Sequence, residues 1–333
     1  MEYRPFGQTG LDVSVIGFGC WEIGGGYGSI EAKDFDDAIG RALDLGINCF
    51  DTAEGYGMGA SEQALGQALG RRRDEAIIVS KFGMAYRDKP NMRDSSRDRV
   101  LTTIDKTLKN LGTDYVDVYL VHWPDRNTPF EETMSALADV VRDGKVRFVG
   151  LSNFKRDEID ACMQTERVDV VQYGWHMFDR RMQRDVFPYC EERNIGVMAY
   201  GSLAFGLLSG TFTPDTTFDK NDWRSRAGGS MAGMRLFDAL FGADAFPRNL
   251  EVVEDLKAVA ARHGRSLPQL ALRWATSNPV VSTALVGCRN VAEVEDNCGA
   301  VGWTLSDEDL AEIDGIFEKH GVNPVPDYWI EDA

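Results

Sequence analysis

Short apolar runs recur along the chain, and a longer amphipathic segment follows most of them. Several of these runs are rich in valine and isoleucine and alternate little between apolar and polar positions. That pattern is typical of parallel strands that are buried on both faces. The runs are Val13–Phe18, Ile47–Phe50, Ala76–Ser80, Val116–Val121, Val146–Gly150, Val168–Gln172, Ile195–Ala199 and Val280–Val286. They predict eight parallel strands.

The segments between the runs have helical spacing. Asp34–Leu45 places most of its apolar residues along one stripe, and Ser96–Leu111 repeats them at intervals of three or four. Ser61 is predicted to be the N-cap of another helix. Alternating strands and helices leave an open doubly wound sheet or a closed barrel. Residues 17–22 contain only the first two glycines of the G-x-G-x-x-G motif expected of an open dinucleotide-binding sheet. The eightfold count therefore favours an α/β fold of the (β/α)8 TIM barrel type.

Three segments lie outside the strand–helix repeat. Gln8–Leu11 joins two extended segments and predicts an N-terminal β-hairpin that closes the barrel floor. Residues 201–247, after the seventh strand, are predicted to form a long loop, and a loop of this length is usually functional. Residues 319–333 form a C-terminal tail with aromatic residues. No interdomain linker is evident, so residues 1–333 are expected to form a single barrel domain.

The composition excludes several classes of function. Among the 333 residues, 53 Asp and Glu against 36 Lys and Arg give a formal net charge of −17. Without a basic stripe, an acidic surface repels nucleic acid. No apolar stretch approaches the roughly 20 residues that span a bilayer, and the first residues lack the apolar core of a signal peptide. The scattered six cysteines and four histidines predict no metal site, and we expect a reduced, cytoplasmic protein.

Four polar residues follow successive strands at the expected catalytic rim of a barrel. Asp51 and Tyr56 follow the second run, Lys81 the third and His122 the fourth. Each alone has a structural explanation: a capping aspartate, a surface tyrosine, an exposed lysine or a buried histidine. Together they make chemical sense, because an ammonium group favours the phenolate form of a nearby tyrosine and a carboxylate offsets the ammonium's desolvation. A phenol acting as general acid, with His122 orienting the carbonyl, predicts C=O reduction by hydride from a cofactor.

These motifs resemble those of the aldo-keto reductase superfamily. The matching segments are Asp51-Thr52-Ala53-Glu54-x-Tyr56-Gly57, Lys81, His122 with Pro124-Asp125, and Gly144–Phe154. The resemblance extends from about Tyr3 to about Phe317. It implies a (β/α)8 barrel that binds extended NADP(H) or NAD(H) without a Rossmann fold. It also implies that Tyr56 is the proton donor and that His122 orients the carbonyl.

The same resemblance implies a set of cofactor-binding residues. Ser152, Asn153 and Gln172 would hold the nicotinamide carboxamide, and Tyr200 would stack on the nicotinamide ring. The other implied residues are Cys20, Trp21, Asp51, Gly201, Leu203, Gly206, Leu207, Arg224, Gly287, Arg289, Glu293, Asp296 and Asn297. Arg289 suits the 2′-phosphate of NADP(H), whereas Glu293 replaces the Gln or Arg that the family often has, and its charge is unfavourable there. We therefore expect NADP(H), with NAD(H) as the alternative.

The substrate is less well specified by the sequence. Trp21 and Trp123 directly follow strand ends and are substrate-contact candidates beside Tyr56 and His122, although ordinary loop packing is the alternative for both tryptophans. The leading hypothesis is reduction of an aldehyde or ketone with NADPH. The alternatives are an NAD-dependent dehydrogenase of a sugar or secondary alcohol and a redox-sensing regulatory subunit resembling potassium-channel β subunits. The expected partner is a small molecule, and neither a monomer nor a homo-oligomer is favoured.

Overall fold

Parallel strands form a closed barrel at the centre of the protein. The computed structural model describes residues 1–24, 31–84, 93–220, 222–226 and 235–326. Within these residues an antiparallel pair, β1 (Tyr3–Pro5) and β2 (Asp12–Ser14), precedes eight barrel strands. These are β3 (Ile16–Gly19), β4 (Cys49–Asp51), β5 (Ile77–Phe82), β6 (Val116–Val121), β7 (Val146–Ser152), β8 (Val170–Gly174), β9 (Gly196–Tyr200) and β10 (Val281–Gly287). They are ordered along the chain, and β10 closes the ring by pairing with both β9 and β3. The predicted (β/α)8 barrel is confirmed.

Helices surround the barrel and connect its strands. They are α1 (Ala32–Asp44), α2 (Ala60–Leu69), α3 (Arg97–Leu111), α4 (Phe130–Arg142), α5 (Arg156–Met163), α6 (Val186–Arg193), α7 (Arg235–Phe241), α8 (Ala245–Arg262), α9 (Leu267–Ser277), α10 (Val291–Cys298) and α11 (Asp307–Lys319). In α1 the stripe predicted from the sequence, including Phe35 and Ile39, is buried. Ser96 is the N-cap of α3. No described helix is both long enough and apolar enough to cross a membrane.

Two local predictions were wrong. The first apolar run is not one strand: the chain bends at Val15 between β2 and β3, where the Ser14 hydroxyl donates to the carbonyl of Ile16 at 2.7 Å. Ser61 does not cap α2, which begins one residue earlier after Gly59. The Ser61 hydroxyl is instead fully buried and donates to the carbonyl of Cys20 at 2.8 Å. It thereby connects α2 to the end of β3.

The barrel contains two apolar layers. A large layer lies between the strands and the helices, and a smaller cluster fills the barrel interior. Phe6, in the hairpin turn, is fully buried in the interior cluster beside Val79, Val118 and Met198. The predicted hairpin therefore does close the floor, and it leaves the opposite rim, where the strands end, for chemistry.

The segment after β9 is more structured than a plain loop. It contains two 3-10 helices, at Ala204–Ser209 and Trp223–Arg226, and then α7; α8 begins at Ala245, inside the range predicted as loop. Residue 221 and residues 227–234 of that range lie outside the described residues. In the predicted tail, the carbonyl of Pro324 accepts a hydrogen bond from the backbone N–H of Arg180 at 2.6 Å. Residues 327–333 of the tail also lie outside the described residues.

Candidate active site

The four residues predicted at the rim come together in the structure. Asp51 is the last residue of β4, Lys81 lies near the end of β5, and His122 directly follows β6. Tyr56 begins a 3-10 helix, Tyr56–Gly59, after β4. Because parallel strands in a barrel all end at the same rim, residues 30 to 71 positions apart from Asp51 in sequence become neighbours.

The ammonium group of Lys81 is the centre of this arrangement. Its Nζ donates to Oδ1 of Asp51 at 2.5 Å, to the carbonyl of Thr52 at 3.0 Å and to the hydroxyl oxygen of Tyr56 at 3.1 Å. An ammonium group has three N–H donors, and here each has an acceptor. The side chain of Lys81 is fully buried, and that of Asp51 is nearly so. Lys81 is therefore held at a fixed distance from the phenol.

Burial controls the protonation of the charged groups at this rim. It raises the pKa of Asp51 and lowers the pKa of Lys81, and the attraction between the two opposes both changes. Burial also lowers the pKa of His122 well below its usual value, and the Lys81 charge acts in the same direction. His122 is therefore a neutral imidazole at pH 7. Its ring lies edge-on to that of Tyr56, with the ring centroids 5.7 Å apart.

Polar groups on the next strands extend the arrangement. Nε2 of Gln172 donates to Oδ2 of Asp51 at 2.7 Å, and the Ser152 hydroxyl donates to the carbonyl of Gln172 at 3.0 Å. The amide nitrogen of Asn153 donates to the carbonyl of His122 at 3.1 Å, and its oxygen accepts from the Tyr200 hydroxyl at 2.9 Å. The three candidates for the carboxamide site and Tyr200 therefore form one network with Asp51 and His122.

Aromatic rings stand beside the phenol of Tyr56. The ring of Trp21 lies 6.3 Å from that of Tyr56 and 6.2 Å from that of Phe205, measured between centroids. Trp123 lies farther along the rim, where the guanidinium of Arg93 sits 5.1 Å from its ring centroid. His176 is fully buried, with its ring centroid 5.9 Å from that of Phe205.

The loop after β9 supplies backbone and a cation to the same rim. Gly201 and Gly206 have positive φ angles of 66° and 98°. A Cβ at Gly206 would lie 2.8 Å from Nη1 of Arg224, so glycine lets the loop approach that guanidinium closely. Leu207 is fully buried, and Leu203 packs partly buried before the 3-10 helix. This loop anchors Arg224 above the rim.

Arg224 is paired on its own segment. Its Nη2 and Nε contact the carboxylate of Asp222 at 2.5 and 2.9 Å, and Nη1 donates to the carbonyl of Phe205 at 3.2 Å. The guanidinium also lies 4.8 Å from the ring centroid of Phe218. An anionic ligand at this point would therefore compete with Asp222 for the cation.

The candidate cofactor-binding residues after β10 make two kinds of contact: Arg289 and Glu293 pair with each other, whereas Asp296 and Asn297 bond to other parts of the protein. Nη2 of Arg289 contacts Oε1 of Glu293 at 2.7 Å, and the Arg289 backbone N–H donates to Oε2 of Glu293 at 2.8 Å. Asp296 accepts hydrogen bonds from Ser266 and Gln269 at the start of α9. Asn297 is buried and donates to the sulfur of Cys288 at 3.3 Å. The structure therefore brings Arg289 and Glu293 together and engages Asp296 and Asn297 in contacts within the protein.

Glu22 is a rim residue that sequence reasoning missed. It lies in a 3-10 helix, Trp21–Gly24, directly after β3 and the buried Cys20. A Cβ at Gly287 would lie 1.8 Å from Oε1 of Glu22, so its carboxyl group occupies the space where a side chain at residue 287 would stand. The pKa of Glu22 is raised to about 7, chiefly by burial; the Glu293 charge acts in the same direction, and Arg289 and Arg224 oppose the increase. The sequence signal that could have identified Glu22 is its position next to Trp21, just after the end of a predicted strand.

The residues at the rim fit a nicotinamide dinucleotide in most respects. Tyr200 is a partly exposed aromatic ring at a strand end, two positive-φ glycines open the backbone of the adjoining loop, and two arginines lie beyond them. The carboxyl groups of Glu22, Asp222 and Glu293 oppose the binding of an anion. Among the described residues, no group of three His, Cys, Asp or Glu side chains is arranged to hold a metal ion.

Comparisons with known proteins agree with this geometry. The sequence model of the Aldo/keto reductase family matches residues 15–318. The chain is 35% identical to aldo-keto reductase YhdN of Bacillus subtilis, covering 98% of this chain and 96% of that one. It is 31% identical to the NADH-specific methylglyoxal reductase of Escherichia coli, covering 93% and 96%.

Among solved structures, the glycerol dehydrogenase of Gluconobacter oxydans superposes with a TM-score of 0.85 at 32% identity, covering 98% of each chain. The family match spans nine-tenths of the sequence, and both the fold and the rim agree with it. Members of this family use nicotinamide cofactors and act on small molecules. The chain belongs to the aldo/keto reductase family and is an oxidoreductase that acts on carbonyl or alcohol groups.

Proposed function

We propose that the protein reduces the carbonyl group of an aldehyde or ketone with NADPH, and that Tyr56 donates the proton. The observation that carries the proposal is the ammonium group of Lys81, which contacts both Asp51 at 2.5 Å and the Tyr56 hydroxyl at 3.1 Å. An ammonium at this distance stabilises the phenolate that remains after proton donation. A bound, reduced nicotinamide would supply the hydride.

The other groups have complementary roles in this proposal. Neutral His122 lies edge-on to the phenol and donates a hydrogen bond to the substrate oxygen, which fixes the carbonyl beside the Tyr56 hydroxyl. Asp51 keeps Lys81 charged despite its burial. Trp21 and Phe205 exclude water from one side of the phenol, and Trp123 contacts the substrate farther out.

The proposed cofactor contacts lie on the neighbouring strands. Ser152, Asn153 and Gln172 hold the carboxamide, and Tyr200 stacks on the nicotinamide ring. The phosphates follow the loop after β9, along the backbone of Gly201, Leu203, Gly206 and Leu207 and the side chain of Arg224. The adenosine half lies by Gly287, Arg289 and Glu293. Cys20 and Trp21 approach the cofactor from β3, and Asp296 and Asn297 support the adenosine site from within α10.

Replacing Tyr56 with Phe tests the proton donor. NADPH oxidation is measured over aldehydes, sugars, ketosteroids and bulky keto-terpenoids. We expect turnover to fall by about 10²–10⁴-fold, the usual contribution of general acid catalysis, while the cofactor Kd stays within about threefold. The matched control is Tyr115→Phe, which lies just before β6 at the floor end of the barrel and should retain full turnover. Turnover that survives Tyr56→Phe would contradict the assignment.

One contact favours a second candidate, an NAD-dependent dehydrogenase of a sugar or secondary alcohol. The carboxylate of Glu293 already forms an ion pair with the guanidinium of Arg289, with Nη2 and Oε1 2.7 Å apart. A carboxylate at this position repels a 2′-phosphate. Titrations of NADPH and NADH, followed by quenching of tryptophan fluorescence, distinguish the two candidates. Tighter NADH binding would overturn the choice of NADPH and leave the role of Tyr56 intact.

A further inference from the structure

We infer that Glu22 takes up a proton when the dinucleotide cofactor binds, so that this residue sets the pH dependence of cofactor affinity. The inference rests on the proposed function, because it needs a dinucleotide on this rim. It goes beyond that proposal by naming a carboxyl group that cofactor binding must neutralise.

The first observation is the position of the carboxyl group. Both oxygens of Glu22 lie against the backbone of Gly287, where a Cβ would be 1.8 Å from Oε1 and 2.3 Å from Oε2. Gly287 is the last residue of β10, at the rim on which the proposed dinucleotide lies. The Glu22 carboxyl group therefore occupies part of the surface on which the adenosine half of the proposed dinucleotide lies.

The second observation is the set of charges around Glu22. Arg224 and Arg289 attract its carboxylate, and Glu293 repels it. Among the residues that the structure describes, the other titratable groups on the elements packed around it are the thiols of Cys20 and Cys288, the phenol of Tyr56, and Glu62 of α2. The carboxylate of Glu62 is held by Ser80 and Asn110. Burial raises the pKa of both thiols, so they stay neutral near pH 7. The two arginines are therefore the attractive charges acting on Glu22, and they are the same cations that the proposed phosphates need.

A polyanion on this rim changes the balance at Glu22. It takes over the attraction of Arg224 and Arg289 and adds negative charge beside a carboxylate that burial already disfavours. The proton comes from solvent and is bound by the Glu22 carboxyl group, so one proton and one cofactor enter the complex together. Because the pKa of Glu22 in the free protein is about 7, the uptake falls in an experimentally accessible range.

The pH dependence of NADH binding tests the inference. NADH is the probe because its pyrophosphate does not titrate between pH 6 and pH 8.5, whereas the 2′-phosphate of NADPH does. For the native protein we expect Kd to rise about tenfold between pH 6 and pH 8. For Glu22→Gln we expect a change of less than about twofold, with tighter binding than the native protein at pH 8 and equal binding at pH 6. The charge-matched control is Glu295→Gln, because Glu295 lies in α10 beside the proposed adenosine site but is paired with Arg41; this variant should follow the native protein.

Calorimetry on the native protein gives a readout that needs no variant. Titration of NADH at pH 7.5, in buffers with different ionisation enthalpies, should reveal uptake of about one-half to one proton per cofactor. A native Kd that does not change with pH, equal slopes for the native protein and Glu22→Gln, or zero proton uptake would overturn the inference while leaving the proposed function standing. If neither NADH nor NADPH binds the native protein at any pH, the proposed function fails and the inference fails with it.

Discussion

Removal of the Lys81 ammonium group should destabilise the protein strongly. Lys81 is fully buried and Asp51 is 5% exposed, so the pair is shielded from solvent. Replacing Lys81 with Met leaves the Asp51 carboxylate buried, with Gln172 as its remaining polar partner among the hydrogen bonds described above. Breaking one side of a buried ion pair costs about 3–5 kcal/mol. We expect Lys81→Met to lower the free energy of unfolding by that amount at pH 7.

The pH dependence of this loss has a definite sign. Without the ammonium group, burial raises the pKa of Asp51 above its value in the native protein. A carboxyl group whose pKa is higher in the folded than in the unfolded state destabilises the fold above that folded pKa. This destabilisation disappears below the unfolded value of about 3.9. The loss caused by Lys81→Met should therefore be greatest at neutral pH and become small near pH 4.

Urea unfolding, followed by tryptophan fluorescence, measures these differences. Lys33→Met is the matched control, because Lys33 pairs with Asp37 on the surface with 84% of its side chain exposed; it should change the free energy of unfolding far less than Lys81→Met does. The double variant Asp51→Asn/Lys81→Met removes both charges and should recover at least about half of the loss. Asp51→Asn is also measured alone. If the loss of the double variant equals the sum of the losses of Asp51→Asn and Lys81→Met within about 0.5 kcal/mol, the ion pair is not what stabilises this rim.

Three further predictions concern the floor, the rim carboxylates and the cofactor. Phe6→Ala should lower the free energy of unfolding by about 3–5 kcal/mol, since Phe6 is fully buried in the barrel interior; urea unfolding measures it. Glu22→Gln should stabilise the protein by at most about 3 kcal/mol at pH 8 and leave it unchanged at pH 4. The pKa of Glu22 rises from 4.5 to about 7 on folding, and melting curves at both pH values check this sign. Glu293→Gln should free the guanidinium of Arg289 and raise the affinity for NADPH relative to NADH about tenfold. Fluorescence titration measures this ratio, and an unchanged ratio would contradict binding of the 2′-phosphate by Arg289.

The sequence predicts the rim well because topology determines its position. Asp51, Lys81 and His122 follow buried strands, and once eight parallel strands close into a ring, every residue after a strand end is placed at the same edge. Tyr56 follows by proximity in sequence to Asp51. For these residues the hydrophobic pattern and the strand count were sufficient.

Other contacts could not be predicted, because they depend on how unrelated segments pack. Glu22 is placed on the backbone of Gly287, 265 residues away in sequence, and no periodicity marks that contact. The apolar run at residues 13–18 looks like one strand, although it changes partners at Val15. Serine is a common N-cap residue, but tertiary packing places the Ser61 hydroxyl against the carbonyl of Cys20, to which it donates a hydrogen bond.

The charge of the whole chain and the charges at the rim lead to the same expectation. With a net charge of −17, the average field around the protein repels a dinucleotide. Locally, Lys81 is paired with Asp51, Arg224 with Asp222 and Arg289 with Glu293. An anion that arrives here must exchange one ion pair for another, so the electrostatic gain is small. The relative affinity for NADPH and NADH should therefore depend on which carboxylate gives up its ion pair with an arginine or takes up a proton. The number of cations at the rim should matter less.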